Sequence, residues 1–309
     1  MLIKIENIKT ESTEKENIQA GEMGTTYIEG RDIPSIRYHI FQNMSFVRDG
    51  FSTRAGGVSS GQFESMNFSI KMGDSPENVR KNFSLFLEAH GFQNPVMSDQ
   101  THTANIKRVY REDAGKNVFL PKDYSDIDGL VTNEKGITLV TTFADCVPLY
   151  FADEKNRAIG LAHSGWKGTI GRIGKAVTDR MKQEFGTEPE DIKAAIGPSI
   201  CVNCYEVSKE LAEDFAKEFH SEIFQCKTFE DNREAFDVWD MEKIVLKRGD
   251  KYYLNLWAAN NRVLTEAGIP QENIAFPDLC TCCNHEDLFS HRASRGKRGN
   301  LCAFFMIEE

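Results

Sequence analysis

Residues 137–163, ITLVTTFADCVPLYFADEKNRAIGLAH, are the part of the sequence that decides the fold. They contain three apolar runs, 137–143, 147–151 and 158–163, which short polar or turn-forming segments separate. Continuous apolar runs of this length are typical of β-strands that are covered on both faces, because strands with one face in water alternate polar and apolar residues. The stretch therefore predicts a buried sheet at the centre of the protein.

Predicted helices and further strands flank this centre. Ser75 and Pro76 are typical of a helix start and Gly91 of a helix end, with apolar residues at helical spacing between them. Other helices are expected after Thr169, after Ser208 and over residues 256–267. Further strands are predicted over residues 106–110, 129–132, 192–196 and 301–307. This mixture is typical of an α/β protein.

The chain is expected to form one domain. Its length of 309 residues would by itself favour about two domains, but no Pro-, Gly- or Ser-rich linker interrupts the centre. Residues 1–33 are polar and lack a clear period, so we interpret them as a loosely held extension or an edge segment. The sequence therefore predicts a single α/β domain over residues 34–309.

Charge and cysteine content narrow the class of protein. Lys and Arg number 37 against 47 Asp and Glu, and the net charge of −10 argues against a nucleic-acid partner. The N-terminus lacks the pattern of a secretory signal, and no apolar stretch is long enough to span a membrane. We therefore expect a cytoplasmic protein whose eight cysteines serve as thiols, metal ligands or nucleophiles before disulfides.

Cys146 and His163 are the strongest candidates for chemistry. They lie 17 residues apart, each at the edge of an apolar run, and would meet at one side of the sheet if those runs are neighbouring strands. His102 precedes another predicted strand. The three side chains could hold a catalytic zinc or, with a weak axial ligand, a blue-copper centre. Cys146 and His163 could instead form a thiolate–imidazole nucleophile, and the plainest alternative is a buried core cysteine.

Other motifs are weaker candidates. The loop at Arg54 to Gly57 could approach a ligand closely and hold an anion, although taken alone it is better explained as an ordinary Gly-rich turn beside a solvated arginine. Asp126 and Asp128 could be an acid/base pair or solvated loop charges. The basic run 292–298 could bind an anion such as phosphate or could be a solvated loop.

Two cysteine groups raise the possibility of a structural zinc site. Cys201 and Cys204 form one group, and Cys280, Cys282 and Cys283 form the other. The groups are separated by 75 residues, whereas the cysteine pairs of a zinc ribbon are separated by about 15–20. On this spacing we do not favour a zinc site there, and we expect every cysteine except Cys146 to be a reduced thiol.

Several segments together resemble the YfiH/YlmD-type family. Its members have been labelled multicopper polyphenol oxidoreductase (laccase) domains and purine nucleoside phosphorylases, and laccase domain-containing protein 1 belongs to it. The similarity extends from about residue 36 to the C-terminus. The matching segments are FSTRAGGVSSGQFESMNFS (51–69), DQTHTANIKRV (99–109), DIDGLVT (126–132), FADCVPLYF (143–151), GLAHSGWKGT (160–169), IGPSI (196–200), CYEV (204–207) and LFSHRASRGKRGN (288–300).

The resemblance implies a single layered α-β-β-α domain, of the type shared with a cysteine-dependent bacterial toxin. It also implies a metal, usually zinc, held by His102, Cys146 and His163, and it makes Arg54 the family's conserved-loop arginine. The chain departs from the family pattern at Lys167 and Asn300, where many members carry Arg, and residues 237–250 resemble an insertion.

The activity that the resemblance implies is the phosphorolysis of adenosine, inosine and methylthioadenosine, with an adenosine deaminase side activity. The metal would be zinc, although copper competes well for such ligands. We expect Arg54 to hold the anion and Asp128 to act as an acid/base or ligand-supporting group. Three alternatives stay open: a laccase-like copper oxidoreductase, a metal-free cysteine hydrolase or deamidase, and a non-enzymatic metal-stabilised module. Seven histidines, with no His-x-His pair, are few for a four-copper cluster.

Overall fold

A computed structural model describes residues 25–226, 237–238 and 240–308. The strands of the described residues are β1 (Thr26–Glu29), β2 (Ser35–Tyr38), β3 (Val47–Ser52), β4 (Pro95–Met97), β5 (Ile106–Arg108), β6 (Gly129–Thr132), β7 (Thr138–Phe143), β8 (Val147–Asp153), β9 (Ala158–Ser164), β10 (Ile192–Ile196), β11 (Glu206–Val207), β12 (Ile223–Gln225), β13 (Val245–Arg248), β14 (Lys251–Leu254), β15 (Ile274–Ala275) and β16 (Leu301–Ile307). The helices are α1 (His39–Gln42), α2 (Pro76–His90), α3 (Trp166–Ile170), α4 (Ile173–Phe185), α5 (Lys209–Glu218), α6 (Leu256–Glu266) and α7 (His291–Ser294).

Two six-stranded sheets form the centre of the fold. The first sheet has the order β1-β2-β3-β16-β7-β4, and the second has the order β15-β10-β8-β9-β6-β5. A smaller sheet, β11-β14-β13-β12, includes β13 from the segment 237–250, whose insertion stays a prediction. The two large sheets pack face to face, and Phe51 and Phe305 of the first meet Tyr150 and Leu161 of the second in one apolar core.

Helices cover the outer faces of both large sheets. Phe83 and Phe86 of α2 pack against Phe304 of β16, on the face of the first sheet opposite Phe305. Val177 of α4 and Leu264 of α6 pack on the second sheet. Every residue of β8, β9 and β16 is buried, because both faces of these strands are covered. The predicted α/β class and the α-β-β-α layering are therefore confirmed.

The predicted elements correspond closely to those observed. Helix α2 begins where Ser75 Oγ accepts a hydrogen bond from the N–H of Glu77, and it ends at Gly91, which has a φ of 67°. The strands predicted over residues 129–132, 192–196 and 301–307 have those bounds in the structure. These predictions succeed because caps and apolar periodicity are local signals.

The N-terminal boundary is only partly described. Residues 1–24 of the predicted extension lie outside the described residues, and Thr26–Glu29 pair antiparallel with β2 at the edge of the first sheet. The boundary at residue 33 stays a prediction. No helix among the described residues is long and apolar enough to cross a membrane, and the cytoplasmic location also stays a prediction.

Candidate active site

The sheet topology brings Cys146, His163 and His102 together. Strands β8 and β9 are antiparallel neighbours in which Pro148 is paired with His163, so the start of β8 meets the end of β9. Cys146 lies just before β8, in the turn through which the chain passes from the first sheet to the second. His102 approaches from the loop before β5, and one ligand atom from each of the three residues lies within 4.8 Å of the others. The predicted meeting of strand ends is confirmed.

The carboxylate of Asp128 forms hydrogen bonds with two of these three residues, His163 and His102. Its buried carboxylate precedes β6, and Oδ1 lies 2.9 Å from His163 Nδ1 and accepts the backbone N–H of His102 at 3.1 Å. Oδ2 accepts the backbone N–H groups of Thr101 and Thr103 and the hydroxyl of Thr103, at 2.8 to 3.0 Å. The bond to Nδ1 directs Nε2 of His163 toward Cys146 and fixes the ring orientation.

The pKa values of Cys146, His163 and Asp128 are all shifted by the charges of their neighbours. Burial of the Cys146 thiol opposes its ionisation, but the imidazoles of His163 and His102 lower the pKa of Cys146 to about 6. Burial would lower the pKa of His163, whereas Cys146 and Asp128 raise it to about 9. Burial would raise the pKa of Asp128, but hydrogen bonds from His163 and Thr103 lower it to about 2. Without a metal, Cys146 and His163 therefore form a thiolate–imidazolium pair near neutral pH.

Gly165 leaves open the space beside the ligand atoms. A Cβ atom at this position would lie 2.9 Å from His102 Cδ2 and 3.0 Å from Cys146 Sγ, closer than side chains pack. The donor set of two imidazoles and one thiolate, with a carboxylate behind one imidazole, is the kind that holds a divalent transition metal with a position left for water or substrate. The residues present therefore fit a metal ion.

Substituting Gly165 with alanine is expected to weaken metal binding about tenfold or more, because the new methyl group displaces His102 or Cys146 from its ligand position. Metal affinity, measured by competition with a chromophoric chelator, checks this result. Gly168→Ala is the matched control, because a Cβ there would meet nothing nearer than 3.4 Å. Equal affinities of the two variants would show that the space beside Gly165 does not matter to the metal.

The turn that carries Cys146 is held by distant residues. Asp145 has a φ of 88°, and its carboxylate accepts hydrogen bonds from Thr281 Oγ1 at 2.7 Å and from the backbone N–H of Arg292 at 2.6 Å. Its carbonyl accepts the N–H of Ile200 at 3.0 Å. Thr281 and Ile200 were not among the predicted site residues, because nothing in their local sequence indicates a contact with residue 145.

The arginines that were predicted to bind an anion have different surroundings. Arg54 donates to the backbone carbonyls of Glu64 and His285, and its guanidinium lies 4.8 Å from the ring centroid of Phe289. In the run 292–298, Arg292 donates to the carbonyls of Cys204 and Glu206, whereas the charge of Arg298 interacts with Asp145 and Cys146. Arg298 is thus an arginine of this run whose charge interacts with the cluster.

The two cysteine groups, for which the sequence spacing did not favour a shared site, lie together in the structure. The Sγ atoms of Cys201, Cys204, Cys280 and Cys283 all lie within 4.8 Å of one another. The separation of 75 residues misled the prediction, because the zinc-ribbon comparison assumes ligands on neighbouring local turns. Here β10 and β15, which precede the two groups, are adjacent parallel strands, and they bring the groups together.

The fold and the cluster define an α/β protein with a Cys–His–His site at the junction of two packed sheets. The sequence matches, over residues 48–308, the family described as multi-copper polyphenol oxidoreductase laccase. The chain belongs to this family, and the resemblance inferred from its motifs is confirmed.

The relatives include proteins named for an activity. Purine nucleoside phosphorylase YlmD of Bacillus subtilis is 32% identical over 275 residues, which cover 87% of this chain and 91% of that protein. Purine nucleoside phosphorylase of Bacteroides thetaiotaomicron is 31% identical over 287 residues, with 90% and 98% covered. The crystal structure of YlmD from Geobacillus stearothermophilus superimposes with a TM-score of 0.78 at 29% identity, with 92% and 99% covered.

Proposed function

We propose that this protein is a zinc-dependent purine nucleoside phosphorylase. Its substrates would be adenosine, inosine or methylthioadenosine with phosphate, and its products the free base and a ribose 1-phosphate. A weaker adenosine deaminase activity would use the same site. The observation that carries the proposal is the convergence of His102, Cys146 and His163, supported by Asp128, in a chain whose relatives bear this name.

The proposed reaction separates charge. Cleaving the N-glycosidic bond develops positive charge on the sugar and negative charge on the leaving purine. His102, Cys146 and His163 would hold a zinc ion, which would supply Lewis acidity suited both to a leaving purine and to attack on the purine ring in deamination. Asp128 is too buried to exchange protons with a substrate, so we assign it the positioning of His163 and of the loop that carries His102.

The chain carries a net charge of −10, so its overall field repels phosphate. Binding of phosphate therefore requires a positively charged side chain at the site itself. Arg54 stays our proposed anion-binding residue, since two guanidinium bonds to carbonyls leave other N–H groups for a ligand. We add Arg298, whose burial lowers its pKa and whose charge interacts with Cys146. Replacement of either arginine with glutamine should raise the KM for phosphate more than it changes kcat.

Base release from inosine is expected to depend on phosphate. Incubation of the purified protein with inosine should yield hypoxanthine and ribose 1-phosphate when phosphate is present, and little base when it is omitted. Chromatography of the bases and of the sugar phosphate measures both products. Base release that is equally fast without phosphate would reject the phosphorylase and indicate a hydrolase.

A cysteine hydrolase is the second candidate, because the pKa values of Cys146 and His163 favour a thiolate–imidazolium pair in the metal-free site. Chelation separates the two candidates. Removal of the metal should abolish phosphorolysis, and added zinc should restore it, whereas a thiol nucleophile would keep its activity after chelation.

The histidines do not favour a four-copper oxidase. Among the described residues, which include all seven histidines, only His102 and His163 belong to a group that could hold a metal ion. A copper ion in place of zinc at that one site is still compatible with its ligands. Metal analysis of the protein from cells grown with both metals distinguishes them.

A further inference from the structure

Four cysteine sulfurs from distant parts of the chain meet close to the candidate active site. Cys201 and Cys204 lie in the turn after β10, and Cys280 and Cys283 lie in the turn after β15. Cys283 Sγ is 3.5 Å from Cys204 Sγ and 4.0 Å from Cys201 Sγ. All eight cysteines of the chain are free thiols, so no disulfide accounts for this meeting.

We propose that these four cysteines bind one structural zinc ion, at a second metal site that is separate from His102, Cys146 and His163. A tetrahedral zinc with Zn–S bonds of about 2.3 Å has sulfur–sulfur edges of about 3.8 Å. The observed separations of 3.5 and 4.0 Å match these edges. A disulfide requires about 2.05 Å, and a cluster of several irons requires more room than four sulfurs within 4.8 Å leave.

Hydrogen bonds to sulfur support the thiolate form of the ligands. The backbone N–H groups of Cys201 and Cys283 both donate to Cys280 Sγ, at 3.2 and 3.4 Å. Donors directed at a sulfur atom stabilise its charged form and orient it as a metal ligand. Because four thiolates this close repel one another, the arrangement favours a cation at their centre.

The surroundings of the cluster are those of a structural site. Cys201 and Cys280 are buried beside Trp257, whose indole N–H donates to Ser199 Oγ at 2.8 Å. Ser199 in turn forms a single parallel bridge with Cys280, which ties the two turns together. Cys201 and Cys280 are buried, Cys204 is half-buried and Cys283 is exposed. Four protein ligands complete a tetrahedral coordination and leave no position for water or substrate.

The proposed zinc would stabilise the turn that carries Cys146. Ile200, next to Cys201, donates its N–H to the carbonyl of Asp145, and Thr281, next to Cys280, donates its hydroxyl to the Asp145 carboxylate. Two of the three residues that donate hydrogen bonds to Asp145 are therefore sequence neighbours of buried cysteine ligands. The four-cysteine site thus connects to the catalytic turn without taking part in the proposed reaction.

Zinc content per chain tests this site directly. The full-length protein is expressed with added zinc and purified anaerobically under reducing conditions, and the metal is counted by mass spectrometry. We expect two zinc ions per wild-type chain and one in Cys204→Ser/Cys283→Ser. Cys146→Ser should also hold one, and with cobalt in place of zinc it should show the absorption bands of a tetrahedral four-sulfur site. The matched control is Cys282→Ser. Cys282 lies between the ligands Cys280 and Cys283 in the sequence but is not a proposed ligand, so this variant should keep two zinc ions.

If the double variant does not fold, the cobalt spectrum of Cys146→Ser still tests the proposal, because Cys146→Ser retains all four proposed ligands. One zinc ion per wild-type chain that Cys146→Ser loses and Cys204→Ser/Cys283→Ser keeps, or a cobalt-loaded Cys146→Ser without the four-sulfur bands, would overturn the proposal. A disulfide among the four cysteines in the anaerobically purified protein would do the same. None of these results depends on whether the protein cleaves nucleosides.

Discussion

Cys146→Ser is expected to lower kcat/KM for base release by roughly 10³-fold, because the substitution removes the one thiolate of the candidate metal site. Loss of a metal that stabilises developing charge costs several kcal/mol of transition-state stabilisation, and about 4 kcal/mol corresponds to that factor. The zinc content should fall by one ion per chain. Steady-state kinetics with inosine and phosphate, together with metal analysis, measures both effects.

Cys226→Ser is the matched control for this change. Cys226 is a free, half-buried thiol that follows β12 in the small sheet, so the same atomic substitution there should leave activity and metal content unchanged. A Cys146→Ser protein that keeps its metal but loses activity would instead support the thiol nucleophile. Full activity in that variant would contradict both proposed uses of Cys146.

Asp128→Asn should reduce metal affinity and kcat/KM by about 10- to 100-fold, because the carboxylate orients a metal-binding imidazole. Each carboxylate oxygen accepts at least two hydrogen bonds, so the new NH₂ group faces donors whichever way the amide lies. We also expect a loss of about 3 kcal/mol in the free energy of unfolding, since the facing donors lose their acceptor in a buried site. Metal competition and urea unfolding measure the two effects.

The stabilisation by Asp128 should depend on pH in a defined direction. Its pKa is lowered to about 2 in the folded protein, against about 3.9 in an unfolded chain. A carboxyl with a lowered pKa stabilises the fold above the unfolded value, and this stabilisation is lost as the pH falls through the folded value. In metal-free protein, the difference in unfolding free energy between wild type and Asp128→Asn should therefore be constant above pH ~5 and narrow from pH ~4 toward pH ~2.

Asp126→Asn is the control for the pH series. Asp126 is an exposed carboxylate two residues earlier in the same loop. Its substitution should leave the acid side of the stability curve close to that of the wild type. A difference for Asp128→Asn that stays constant down to pH 3 would contradict the lowered pKa.

Much of the site could be predicted because its residues stand at the ends of recognisable strands. The apolar runs before Cys146 and up to His163 predicted two buried strands, and their antiparallel pairing brings the two side chains together. The role of Asp128 was predicted only as a choice between acid/base chemistry and ligand support. Four of its five hydrogen bonds depend on where the loop of residues 101–103 folds back, which no local pattern encodes, and the fifth joins it to His163.

By itself, the sequence determined the α/β class, the central buried strands, the long helices, and the pair of Cys146 and His163, because apolar periodicity and cap residues act over a few residues. It did not predict the small sheet of β11 to β14. Only the tertiary structure decided that Cys201 and Cys204 meet Cys280 and Cys283, and that Thr281 holds the turn at Asp145. These contacts depend on the order of strands in a sheet. Strand order is fixed by packing of the whole chain. The separation of 75 residues between the two cysteine groups therefore did not indicate how close the groups lie in space.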